Sequence, residues 1–109
     1  MCRGSGLASR IHFSRLPVIN EALQHALAGI KTGASARNWA GYGDAVRMVG
    51  LEEWQRTLIT DPQTSGGLLV SCAPDVANEV LHVFHDQGLA QAAVIGCMEQ
   101  GRPVLTVNI

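Results

Sequence analysis

Apolar residues recur at helical spacing in three stretches of the chain, and these stretches predict three amphipathic helices. The first covers residues 20–30 and begins at Asn20, a residue type that caps helix N-termini well. The second covers 51–59, and the third follows Pro74 and ends at Gly88. Each helix presents one apolar stripe, so we expect each to pack against a sheet or another helix.

Period-two alternation and short apolar runs predict four strands. Residues 10–13 alternate polar and apolar side chains, whereas the continuous apolar run at 68–72 is typical of a strand buried on both faces. The stretches 92–98 and 103–109 follow the third helix and are separated by a short turn. We therefore expect these last two strands to pair as a C-terminal β-hairpin.

Residues 31–44 are rich in Gly, Ser and Asn, which predicts a long loop with at most one helical turn. Trp39 and Tyr42 are expected to pin this loop to the rest of the protein. The element order is then strand, helix, loop, helix, strand, helix, strand, strand. It predicts an α+β fold: a layered, open, mixed sheet with packed helices and a C-terminal β-hairpin. With 109 residues, the chain has room for one domain, spanning 1–109.

Composition narrows the classes of partner. Eight Lys and Arg against nine Asp and Glu give a formal net charge of -1, and the scattered basic residues argue against nucleic-acid binding. Charged residues are only 16% of the chain, so we expect further chain or a second subunit to cover apolar surface. The apolar runs are strand-sized, which argues against a membrane span. Three widely spaced cysteines and the lack of a secretory signal favour the cytoplasm.

The most distinctive motif is the turn-rich stretch that begins at Asp61 and contains Thr64, Ser65, Gly66 and Gly67. Its hydroxyls, flexible glycines and consecutive amides suit a loop that binds an anion or lies near a phosphate. The alternative is a tight connection from helix to strand, in which Asp61 forms an Asx-turn and the glycines supply positive φ angles. No full phosphate-loop pattern is present, so the residues alone favour the connection.

A second candidate surrounds Trp39, which with Arg37 and Asn38 could clamp a planar ligand beneath the glycine-containing turn at 41–44. The alternative is that the aromatic ring simply plugs the long loop onto the protein, and we favour that interpretation.

The histidines and cysteines predict no metal site and no catalytic nucleophile. His82 and His85 lie one helical turn apart, but nearby sequence offers no further ligands, which favours a solvated helix edge. Cys72 and Cys97 fall in predicted buried strands, where a thiol behaves as a small apolar side chain.

Several stretches together resemble one enzyme family. The string Asp61-Pro-Gln-Thr-Ser-Gly-Gly67 and its apolar flanks are similar to a signature near the C-terminus of selenophosphate synthetases, also called selenide, water dikinases. The stretches 33–44 and 92–96 resemble further family segments in the same order, and residues 1–8 are similar to the second half of a family helix. The resemblance therefore covers the whole chain.

The resemblance implies a parent enzyme that makes selenophosphate from selenide and ATP with Mg²⁺. Family members have two domains and are usually dimers, and their C-terminal domain resembles that of aminoimidazole ribonucleotide synthetase. Their reactive Cys or Sec, neighbouring Lys and metal-binding aspartates match positions that precede Met1. We therefore expect an incomplete C-terminal domain that is inactive alone, binds no cofactor by itself, and packs against the N-terminal domain or a second subunit.

The resemblance carries over no catalytic residue and no metal ligand. It does carry over two sets of structural or cleft-lining residues. The first set is Asp61, Thr64, Ser65, Gly66 and Gly67, and the second is Asn38, Tyr42, Gly43 and Asp44. The alternatives are the C-terminal domain of another ATP-dependent synthetase or kinase of the same superfamily, and a stand-alone dimerisation module.

Overall fold

A computed structural model describes residues 1–109 as an α+β protein with one four-stranded sheet. The five α-helices are α1 (Cys2–Ser5), α2 (Asn20–Leu27), α3 (Gly33–Tyr42), α4 (Glu53–Ile59) and α5 (Ala77–Asp86). The four strands are β1 (Ala8–His12), β2 (Val46–Val49), β3 (Gly96–Glu99) and β4 (Leu105–Asn108). Three short 3-10 turns, Phe13–Arg15, Gly43–Ala45 and Pro74–Val76, connect these elements.

The sheet is mixed, and its strand order is β2-β4-β1-β3. The interior strand β4 runs parallel to both of its neighbours, with Val107 opposite Ile11 of β1 and Met48 of β2. β3 runs antiparallel to β1 and places Gly96 opposite Ile11. A Cβ atom on Gly96 would lie 1.9 Å from the Arg10 carbonyl oxygen, so only glycine fits this close approach of two backbones.

The predicted α+β class, the mixed sheet and the three amphipathic helices are confirmed. They correspond to α2, α4 and α5, and Gly29 and Gly88 have positive φ angles after α2 and α5 as helix-ending glycines do. A capping box starts α4: Gln55 Oε1 accepts a hydrogen bond from the Glu52 N–H at 2.7 Å, while the Glu52 side chain accepts from the Gln55 N–H.

The predicted C-terminal β-hairpin is wrong. β3 and β4 follow each other in sequence, but β1 lies between them in the sheet. β1 provides the antiparallel edge for β3 and the parallel edge for β4, so the short turn between the last two strands does not decide their pairing.

One predicted strand is absent, and one strand is present that was not predicted. Residues 68–72 form no strand and are exposed, although their apolar run is typical of a buried one. In contrast, β2 (Val46–Val49) was not predicted, although its half-buried and exposed residues alternate as in a strand with one covered face.

The predicted loop at 31–44 is mostly the ten-residue helix α3. Its cap explains the difference: the Thr32 side chain accepts a hydrogen bond from the Ser35 N–H at 3.3 Å, satisfying one of the free amides of the first turn. α3 also contacts α4, which in turn packs on α2. Tertiary packing thus outweighs the low helix propensity of its glycines.

The buried core is small for a chain of this length. Ala26 of α2 and Val107 of β4 are the buried apolar residues, at 5% and 2% exposure. Large apolar side chains remain exposed elsewhere, among them those at 68–70, those around α2 and those at 83–94. None of the helices has both the length and the apolar character required to span a bilayer.

Candidate functional site

The two motifs singled out in the sequence meet in the structure at the N-terminus of α3. Asp61, the first residue of its motif, accepts hydrogen bonds on Oδ1 from the Thr32 hydroxyl at 3.1 Å and the Ser35 hydroxyl at 3.3 Å. Ser35 is 4% exposed. The carboxylate also lies at the positive end of the α3 dipole, an arrangement that favours a negative charge.

A second contact joins the same two segments one turn further along α3. Asn38 Nδ2 donates a hydrogen bond to the Thr60 carbonyl oxygen at 2.8 Å. The Thr60 hydroxyl donates to the Arg56 carbonyl at 2.8 Å and so closes the C-terminus of α4. The end of α4 and the start of the Asp61 motif are therefore fixed against α3 at two points.

Trp39 packs between α3 and α4. The Arg56 guanidinium lies 5.2 Å from the centre of its ring, within the range of a cation–π contact. A Cβ atom on Gly43 would lie 3.0 Å from Trp39 Cε2, so the ring also packs against the Gly43 backbone. The favoured interpretation of Trp39 as a packing residue agrees with this half-buried position. The arginine stacked on Trp39 comes from α4 and is not the predicted Arg37.

An open hollow of about 360 Å³ lies beside this cluster. Glu53 forms ion pairs across it with Lys31 at 3.2 Å and with Arg56 at 3.7 Å. Because these side chains are largely exposed, the pairs contribute little to stability. The charged residues that line the hollow are the cations Lys31 and Arg56 and the carboxylate Glu53, so its lining carries one more positive than negative charge.

The remainder of the Asp61 motif behaves differently. Residues 62–72, here named the exposed segment, are all exposed and form no helix or strand. The hydroxyls of Thr64 and Ser65 have no hydrogen-bond partner within the chain, and neither Gly66 nor Gly67 has a positive φ angle. The predicted Asx-turn at Asp61 and the predicted positive φ angles are therefore wrong.

The predicted roles of Tyr42 as a pin and of two cysteines as buried residues are also corrected. Tyr42 is 68% exposed and does not pin the 31–44 stretch. Cys72 and Cys97 are exposed, although they were expected in buried strands, and only Cys97 lies in a strand at all.

Thr32, Ser35 and Thr60 belong to the site but were not predicted from the sequence. The signal for the first two was present: a threonine followed three residues later by a serine, directly before a helix, is a common cap pattern. The pairing of both hydroxyls with Asp61 links residues 26 positions or more apart, and no local pattern reports such a contact.

The donor set of this site does not fit a magnesium ion by itself. Mg²⁺ is held in proteins by carboxylates together with phosphate oxygens and water. Asp61 is the single carboxylate that joins the two motifs, and its Oδ1 already accepts two hydroxyl hydrogen bonds. No group of three or more His, Cys, Asp or Glu residues lies close enough together to bind a metal.

Comparisons with known proteins agree with the motif. Residues 1–108 match the family described as AIR synthase related protein, C-terminal domain. A "Selenide, water dikinase" of Dechloromonas aromatica is 50% identical over 98% of this chain, and one of Pseudomonas straminea is 52% identical over 99%. A protein of the same description from Burkholderia pseudomallei is 47% identical over 99%. The chain spans about 30% of the length of these relatives.

Proposed function

The chain belongs to the family of AIR synthase related proteins, whose C-terminal domain it matches, and on this premise we propose that it is the C-terminal part of a selenide, water dikinase. One observation carries the proposal: about half of the residues are identical to proteins of that description along nearly the whole chain. Such proteins would make selenophosphate from selenide and ATP, and the parent of this chain would do the same.

Two kinds of residue in the site support the proposal: residues that hold the fold together and residues whose polar groups are free. Asp61, Asn38 and Gly43 act as structural residues, because each fixes one motif segment against α3 or Trp39. The free hydroxyls and amides at 64–67 are the groups available to line a cleft near the nucleotide phosphates.

Chemistry at the phosphates requires groups that lie elsewhere in the parent. Phosphoryl transfer depends on metal ions and cationic side chains that neutralise charge. This chain has one lysine, Lys31, and that lysine pairs with Glu53. We propose that Mg²⁺ and ATP are bound mainly by the remainder of the parent, and that this chain alone is inactive.

The proposed partner is that remainder, either in the same polypeptide or as a second subunit. The small core and the many exposed apolar side chains support it, because such surface is normally covered.

We further propose that the parent is a dimer. Three free cysteines support a reducing, cytoplasmic location.

A chimera tests the proposed function. In the Dechloromonas aromatica protein, the matched region is replaced by this chain, and selenide-dependent consumption of ATP is measured. We expect activity within about tenfold of the unmodified protein, because half of the replaced residues are identical. A folded chimera without activity would contradict the proposal.

The isolated chain, titrated calorimetrically with Mg-ATP at millimolar concentration, should give no saturable heat.

A second variant tests the cleft-lining role. Thr64→Ala together with Ser65→Ala in the chimera should raise the KM for ATP by about tenfold, the effect of losing roughly one or two hydrogen bonds. Ser14→Ala, an exposed hydroxyl outside both motifs, is the matched control and should leave the KM unchanged. An equal KM in both variants would show that these hydroxyls do not contact the nucleotide.

A further inference from the structure

The second half of the exposed segment leaves its backbone unpaired. Thr64 and Ser65 form a turn, but no main-chain N–H or C=O group of residues 67–72 takes part in a hydrogen bond within the chain. The same stretch contains three consecutive large apolar residues, Leu68, Leu69 and Val70. A row of unpaired backbone groups with apolar side chains is the arrangement by which one strand adds to another.

The side chains of this half are exposed to an unusual degree. Leu68 is 84% exposed, Leu69 57% and Val70 51%. In a strand, three consecutive side chains point to both faces, so a run of three large apolar residues is typical of a strand that is covered above and below. Residues 68–70 thus have the sequence of a buried strand, but the chain provides neither a strand to pair with them nor layers to cover them.

We propose that residues 67–72 form a β-strand by pairing with a strand in the part of the parent enzyme that this chain does not match. The inference rests on the proposed function and adds to it how the two parts join. Main-chain hydrogen bonds would fix the segment, and the leucines and Val70 would enter the apolar interior of the other part. The turn at 62–66 would then lie at the junction, beside Asp61.

The choice of partner follows from the rest of the structure. β2 and β3 are the edges of the chain's own sheet, and the segment pairs with neither. A second copy pairing strand to strand would cover the segment alone, yet Val83, Leu89 and Val94 beyond it are also exposed. The matched region is 31% of the Dechloromonas aromatica protein, so the larger part of that enzyme is available to cover both.

Hydrogen exchange measured by mass spectrometry tests the inference. The amides of 67–72 are followed in the isolated chain, at low and high concentration, and in the chimera described above. We expect rapid exchange in the isolated chain at every concentration and exchange slower by a factor on the order of 100 in the chimera. Protection in the isolated chain at every concentration would mean pairing with its own sheet, and protection that rises with concentration would mean pairing with a second copy. Either result overturns the proposal.

Substitutions separate main-chain pairing from apolar packing. Leu69→Pro and Val70→Pro remove neighbouring N–H groups that point to opposite edges of a strand, so at least one should abolish protection in the chimera. The matched controls Leu69→Ala and Val70→Ala keep the N–H groups and should retain protection. If all four variants stay protected, or the alanines lose protection as the prolines do, strand pairing is wrong.

The two proposals fail in different ways. An active chimera in which 67–72 exchanges rapidly would refute the strand and leave the proposed function in place. A folded chimera with protected amides at 67–72 but no selenide-dependent activity would do the reverse.

Discussion

The two halves of one motif lie side by side in the sequence and differ completely in their surroundings. Asp61 accepts hydrogen bonds from the hydroxyls of Thr32, which caps α3, and Ser35, and the residue before it is bonded to Asn38. In the exposed segment, no main-chain group of residues 67–72 forms a hydrogen bond within the chain, and the next 3-10 turn begins at Pro74. The comparison shows that a distinctive motif need not be one structural unit.

The difference also separates two kinds of role. Residues fixed within the chain stabilise this fold, and their replacement should be measurable in the isolated protein. Residues of the exposed segment make few contacts in the isolated chain. Their replacement should therefore change stability or activity only when the rest of the enzyme is present. Matched substitutions in the anchored elements and in the exposed segment therefore test the comparison directly.

The largest contrast should be between two glycines. Gly96→Ala places a methyl group against the Arg10 carbonyl of β1 and should lower the free energy of unfolding by about 3 kcal/mol by separating β1 from β3. Gly67→Ala has no atom within 4 Å of the new methyl group and should change it by less than about 0.5 kcal/mol. Urea unfolding followed by circular dichroism measures both, and equal effects would contradict the register of β1 and β3.

An intermediate contrast uses two valines. Val107→Ala empties a site that is 2% exposed in the interior strand and should cost about 2 kcal/mol in unfolding free energy. Val70→Ala, at a position that is 51% exposed, should cost less than about 0.5 kcal/mol in the isolated chain. A substantial loss for Val70→Ala would show that the exposed segment is packed after all.

The smallest contrast uses two aspartates. Asp61→Ala removes the acceptor of the Thr32 and Ser35 hydroxyls and should cost about 1 kcal/mol, because the buried Ser35 loses a partner. Asp44→Ala removes an exposed carboxylate with no bonded partner and should fall within about 0.5 kcal/mol of the parent chain. Thermal unfolding of both variants side by side decides it; a neutral Asp61→Ala would mean that the cluster does not hold the two motifs together.

The same comparison explains what the sequence could predict. α2, α4 and α5 were predictable because each has an apolar stripe and recognisable end signals. α3 was not, because its glycines weaken the local signal and its stability comes from the Thr32 cap and from contact with α4. β2, with four residues, is too short for its alternation to stand out.

The two wrong predictions about the sheet have a different cause. Residues 68–72 have the composition of a strand, but a strand exists only where a second one pairs with it, and the chain supplies none. The hairpin was predicted from the short turn before Pro103, whereas β1, far away in sequence, takes up the place between β3 and β4. For the site, the motif could be found from sequence, but the contacts of Asp61 with Thr32 and Ser35 could not.

The interior position of β4 has a consequence for how the protein is made. β2 and β1 do not pair with each other, and the strand at 105–108 lies between them and pairs with both. A ribosome therefore releases β1, the helices and β2 long before the strand that unites them has been synthesised. Until that strand is synthesised, β1 and β2 each have an edge without its final hydrogen-bond partner. During this period chaperones would be able to bind the nascent chain.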